Sequence, residues 1–208
     1  TTPLCPPARE ARLRVQDRPW HNASSPYREA AAARDELERC RERMAELTGT
    51  ESPERIVFTG GATEGCNGFF RACSEAGTSH PTRQWRVVIS PYEHPAVREP
   101  ARRFCQAETL GPLALDSLRK SGDASGEPSL LGGVGLHGSA TSDPLVVAWM
   151  AANNETGEVF PWQEWGAPDV PVRFRGALHF CDASQWLGKL PASVFGGDGP
   201  YLVGCAHK

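Results

Sequence analysis

The chain has 208 residues, 39% of them hydrophobic, and a formal net charge of -3. That is enough apolar material to bury a core as one domain, and the slightly acidic balance, with no RNA- or DNA-binding signature, excludes nucleic acid as an expected partner. No run is long and apolar enough to span a membrane, and residues 1–7 lack the basic and apolar regions of a secretory signal, so a cytoplasmic setting is expected.

Residues 26–47 have no internal Pro or Gly and are rich in Ala, Arg, Glu and Leu, which predicts a helix with Ser25 as its cap and Gly49 at its end. Short apolar runs follow at 56–58, 87–89, Leu145–Met150, 178–181 and Tyr201–Val203. The intervals between them are long enough for crossover segments, which predicts an α/β fold with a mainly parallel sheet. A helix containing residues 67–72 fits the first interval. Residues 121–138 are rich in Gly and Ser without periodicity and read as a loop. No internal repeat is visible. The seven cysteines are irregularly spaced and contain no Cys-x-x-Cys pair, so neither a disulfide framework nor a metal site is expected.

Polar or Gly-rich clusters follow several of the apolar runs. The stretch Thr59-Gly60-Gly61-Ala62-Thr63-Glu64-Gly65 lies between a predicted strand and a predicted helix, where backbone N–H groups and the Thr63 hydroxyl can meet a phosphate. The same sequence also serves as an ordinary tight turn. His94, after 87–89, carries an imidazole suited to stacking on a flat ring or relaying a proton. Asn153-Asn154-Glu155-Thr156-Gly157, after Leu145–Met150, offers side-chain amides or simply a turn. Asp182 stands at the end of 178–181, where open α/β sheets place ligands; it can hold a pyridine nitrogen protonated or cap the next segment. Lys208, beside His207, has the amine needed for a Schiff base with a carbonyl cofactor.

A phosphate cradle, a stacking ring, a donor to a ring oxygen, a carboxylate and a lysine are together the needs of pyridoxal phosphate. The segments Asn22-Ala23-Ser24-Ser25-Pro26-Tyr27, Ile56-Val57-Phe58-Thr59-Gly60-Gly61-Ala62-Thr63-Glu64, Glu93-His94-Pro95-Ala96-Val97, Ala152-Asn153-Asn154-Glu155-Thr156-Gly157, Asp182-Ala183-Ser184-Gln185 and Ala206-His207-Lys208 resemble the class V, fold-type I pyridoxal-phosphate enzymes. Within them the resemblance is to the cysteine desulfurase and selenocysteine lyase branch, and it covers nearly the whole chain. It implies a three-layer, fold-type I aminotransferase-like large domain over residues 51–208, with an N-terminal segment and helix over 1–50 and the C-terminal small domain absent.

Carried over by position, the resemblance implies that Lys208 is the Schiff-base lysine and that His94 stacks over the ring as the second catalytic residue. Asp182 would pair with the pyridine nitrogen, and Asn154 and Gln185 would contact the ring oxygen. Ala62 through its backbone, Thr63, Cys205 and His207 would surround the phosphate. Cys205 stands where the family usually has a serine or threonine, and a thiol is the poorer donor. The implied reaction removes sulfur or selenium from cysteine or selenocysteine and leaves alanine, in a homodimer that passes the chalcogen to an acceptor protein. The family's persulfide-forming cysteine and substrate-binding arginine lie beyond its Schiff-base lysine, so little turnover is expected of this chain alone. The alternatives are another class V reaction, such as aminotransfer or kynurenine cleavage, and a catalytically inactive remnant.

Overall fold

Val146, Val147, Ala148, Trp149 and Met150 are all buried in succession, as in a central parallel strand covered on both faces. The computed structural model describes residues 2–78, 85–110, 144–160, 177–195 and 199–207. Its strands are β1 (Arg86–Ile89), β2 (Gln106–Thr109), β3 (Leu145–Met150), β4 (Leu178–Asp182) and β5 (Tyr201–Val203). They form one five-stranded sheet in the order β2-β1-β3-β4-β5. Every pairing between these strands is parallel, and the one isolated bridge among the described residues, Ala152 to Val159, is antiparallel and lies outside them; the predicted α/β class and mainly parallel sheet are observed.

The helices are α1 (Pro6–Gln16), α2 (Arg28–Thr48), α3 (Ala62–Thr78) and α4 (Pro95–Phe104). Alternate strand residues supply the two faces of the sheet. Val87, Ile89, Val146, Ala148 and Phe180 pack with Cys66, Phe70 and Cys73 of α3 and Val97 and Ala101 of α4. Val147, Trp149 and Cys181 face the opposite side and pack with Ala151, Ala183, Trp186 and Phe195. Phe180 is the aromatic centre of the first layer, with Phe69 and Phe70 ring centroids at 4.7 and 5.0 Å.

The end of α2 is as the sequence predicts. Gly49 has a φ of 70°, and the Gly49 and Thr50 amides donate to the Glu46 and Ala45 carbonyls, closing the helix in a Schellman arrangement. Its start corrects the expectation. Tyr27, not Ser25, occupies the cap position and makes no side-chain cap bond; the Ser25 amide instead donates to the Asn22 carbonyl at 2.9 Å. Asn22 also accepts from the Ser24 amide through its side chain, so this asparagine organises the turn before the helix.

The run 56–58 is a second correction, because it joins no ladder. Val57 is 75% exposed and Phe58 47%. Arg41 of α2 holds this segment, donating to the Ile56 carbonyl and placing its guanidinium 5.2 Å from the Phe58 ring centroid, within cation–π range. Helix α1 and strand β2 were not anticipated. α1 buries no residue, and β2, with the sequence Gln-Ala-Glu-Thr, is a mostly exposed edge strand, so neither carries a hydrophobic pattern. The 121–138 stretch lies outside the described residues. No helix among the described residues is long and apolar enough to cross a membrane.

Because Phe180 is fully buried between α3 and the sheet, Phe180→Ala is expected to destabilise the fold by about 3–5 kcal/mol. Guanidinium unfolding should show this as a lowered midpoint with an unchanged slope.

Candidate active site

β1 lies between β2 and β3. The chain therefore leaves β1 toward one side of the sheet and returns on the other, creating a crevice at the carboxyl ends of the strands. A cavity of about 490 Å³ opens there. It is lined from α3 by Ala62 and Thr63, from the loop after β1 by His94, from the loop after β3 by Asn154, from the end of β4 by Asp182, Ser184 and Gln185, and from the segment after β5 by Cys205 and His207. Every site residue inferred from the sequence and described in the structure lines this cavity. Lys208 lies outside the described residues.

Local hydrogen bonds explain how each side chain reaches the cavity. Gly60 and Gly61 bring the chain into α3, and the Gly60 amide donates to the Glu64 carboxylate at 2.6 Å, much as in a capping box. The amides of the first turn of α3 are therefore directed at the cavity end of the helix. His94 is the cap of α4, its Nδ1 accepting from the Ala96 amide at 3.1 Å. Pro95, at the first helical position, has no amide to satisfy.

After β3, Asn153 and Asn154 divide the work. The Asn153 side-chain oxygen accepts from the Glu155 and Thr156 amides at 2.8 and 3.0 Å, and Gly157 closes the turn at a φ of 73°. The turn-forming role considered for this motif belongs to Asn153, which leaves Asn154 on the cavity wall. Asp182 combines its two candidate roles in one side chain. One oxygen accepts from the Ser184 amide at 2.9 Å, and the carboxylate also lines the cavity. Gln185 accepts from the Lys189 ammonium through Oε1 at 3.0 Å, so its NH₂ is the end left to donate. Gly204 holds the last segment against the sheet: a Cβ there would stand 2.1 Å from Leu187 Cδ1.

Sequence reasoning missed Glu93 as a functional candidate. It is only 3% exposed, and among the described residues neither carboxyl oxygen makes a hydrogen bond of normal geometry. Burial pushes its pKa well above the ordinary value of 4.5, and the nearby Asp182 charge pushes it further; weak hydrogen bonding from the Ser90 side chain and the Met150 backbone, and the Arg98 charge, oppose this. The signal available in the sequence was an acid placed directly after a buried strand and before His94.

Among the thiols, burial is the main cause of raised pKa values. Cys181 and Cys66 are raised well above the usual range, and Cys73 is pushed up to about 12. A thiol held in this state is a poor nucleophile, and Cys181 does not line the cavity.

The family model for aminotransferase class-V matches residues 17–208, and the chain belongs to that family. Its relatives include a cysteine desulfurase of Nostoc sp., 32% identical over 195 residues that cover 93% of this chain and 44% of that one. They also include a selenocysteine lyase of Homo sapiens, 25% identical over 234 residues that cover 100% of this chain and 50% of that one. Among solved structures, a NifS-like protein superposes with a TM-score of 0.70 at 23% identity, covering 94% of this chain and 51% of that one. The shared architecture is the fold-type I α/β arrangement expected from the motifs. The chain spans about half the length of the curated relatives it matches.

Iodoacetamide applied to the native chain at pH 8 is expected to label the exposed Cys5 and Cys40 and to spare the buried Cys66, Cys73 and Cys181. Peptide mass spectrometry before and after unfolding checks this, and all seven thiols should react once the fold is lost.

Proposed function

We propose that the chain is the cofactor-binding portion of a pyridoxal-phosphate enzyme that removes sulfur or selenium from cysteine or selenocysteine and leaves alanine. Residues 51–208 form that portion on this reading, and 1–50 the N-terminal segment and helix. The observation that carries the reading is the convergence of a helix N-terminus, an imidazole, two side-chain amides and a carboxylate on one cavity from four separate loops.

The donor set fits the cofactor. Backbone amides at the start of α3, with Thr63 and His207, are suited to a phosphate. Asp182 presents a carboxylate to a protonated ring nitrogen, and the Asn154 and Gln185 amides can donate to a ring oxygen. The Ser184 hydroxyl is buried on the cavity wall and has no hydrogen-bond partner among the described residues, as expected where a polar ligand completes the site. Pyridoxal phosphate, when bound, supplies an electron sink for the substrate's α-carbon. The chain's part is to hold it: Lys208 contributes the amine that anchors the aldehyde, and His94 covers the ring face and can carry a proton at Nε2. The cysteine desulfurase and selenocysteine lyase names among the relatives support the amino-acid substrate, and family resemblance supports a homodimer handing the chalcogen to an acceptor protein.

The purified chain mixed with pyridoxal phosphate is expected to show a visible absorption band that borohydride converts into a covalent adduct on Lys208. Lys208→Ala should show neither band nor adduct. Asp182→Asn keeps an oxygen for the Ser184 amide but loses the charge, and should weaken cofactor affinity about tenfold or more, the scale of one charge-assisted hydrogen bond. Absence of a Lys208-dependent band overturns the reading.

A further inference from the structure

Glu93 and Asp182 are two buried acids at the same end of the sheet, and their surroundings differ. Asp182 receives the Ser184 amide and opens onto the cavity. Glu93 is almost completely buried, does not line that cavity, and makes no hydrogen bond of normal geometry through either oxygen among the described residues, Ser90 and the Met150 backbone giving only weak hydrogen-bonding support. The other titratable groups facing Glu93 are Arg98 on α4, which favours its charge, and Cys66 on α3 and Cys181 on β4, whose thiols its charge disfavours. The Nε of Arg98 is itself buried without a hydrogen-bond partner, so this arginine makes no close pair with Glu93 through that atom.

Two neighbouring buried carboxylates cannot both be ionised cheaply, and the proton goes to the one whose charge is less solvated. We propose that Glu93 is a positioning residue for Asp182: it keeps the pair's single proton, so that one negative charge remains and is carried by Asp182 on the cavity face. This rests on the reading of Asp182 as the partner of a ring nitrogen. In that setting a second negative charge behind Asp182 would draw a proton onto the pair and blunt the contrast between a charged wall and a neutral support. Glu93 thereby sets the charge that the site presents without touching the ligand.

The sign of the pH effect follows from the raised pKa. An acid more easily protonated in the native than in the unfolded state gives its full contribution below the ordinary value of 4.5 and loses it as pH rises through the native value. Wild-type stability should therefore fall, relative to Glu93→Gln, as pH rises above that ordinary value. One proton corresponds to up to about tenfold per pH unit in the unfolding equilibrium. In Asp182→Asn the decline should be smaller, because one of its two causes is gone.

Infrared difference spectra of wild type against Glu93→Gln at neutral pH should contain the carbonyl stretch of a neutral carboxylic acid, and unfolding should remove it. A carboxylate signal in its place, or parallel stability profiles for wild type and Glu93→Gln, overturns the proposal. If Glu93→Gln does not fold, the native-minus-unfolded spectrum of the wild type and the Asp182→Asn profile decide the question. Pyridoxal phosphate is absent from all these measurements, so failure of the pair and failure of the cofactor reading are separable.

Discussion

The parallel pairing of β1, β3, β4 and β5 is the constraint on which the site depends. Parallel strands all end at the same edge, so the loops after β1, β3, β4 and β5 are delivered to one place without any of them having to be long. The register Met150↔Asp182 and Asp182↔Val203 brings the β3, β4 and β5 exits level with one another. Burial on both faces keeps that register, because a slip of one residue would exchange the Val146 and Ala148 layer for the Val147 and Trp149 layer.

A division of labour recurs around the cavity. One polar atom of a residue, or one of two adjacent residues, is committed to the local fold, and the other is left for a ligand. Asn153 holds the turn and Asn154 lines the wall. One Asp182 oxygen receives the Ser184 amide. Gln185 gives its carbonyl end to Lys189. For Asp182 and Gln185 the committed bond restricts the rotamers of the group that faces the cavity, and for Asn154 the turn held by Asn153 fixes the backbone it stands on, so less order has to be imposed when something binds.

The legible parts of this protein were those with an uninterrupted local cause. The β3 run, the Gly49 stop and the polar clusters after strands could all be read because burial, left-handed backbone and loop chemistry leave direct marks on residue type. The edge strand β2 and the exposed helix α1 have no apolar periodicity to read. The 56–58 run misled because its residues have strand-forming side chains, yet they are held by Arg41 rather than by a neighbouring strand. Glu93 was overlooked for another reason: a glutamate in a loop is ordinarily solvated, and only its burial in the fold reveals otherwise.

The cap of α4 also decides the chemistry of a ring. Since Nδ1 of His94 accepts the Ala96 amide, it cannot carry a hydrogen there, and the neutral imidazole is restricted to the tautomer protonated on Nε2. The choice between two isomers that are close in energy in water is thus made by the first turn of a helix. Any rearrangement that frays α4 at its start would release that choice and let the ring exchange donor for acceptor.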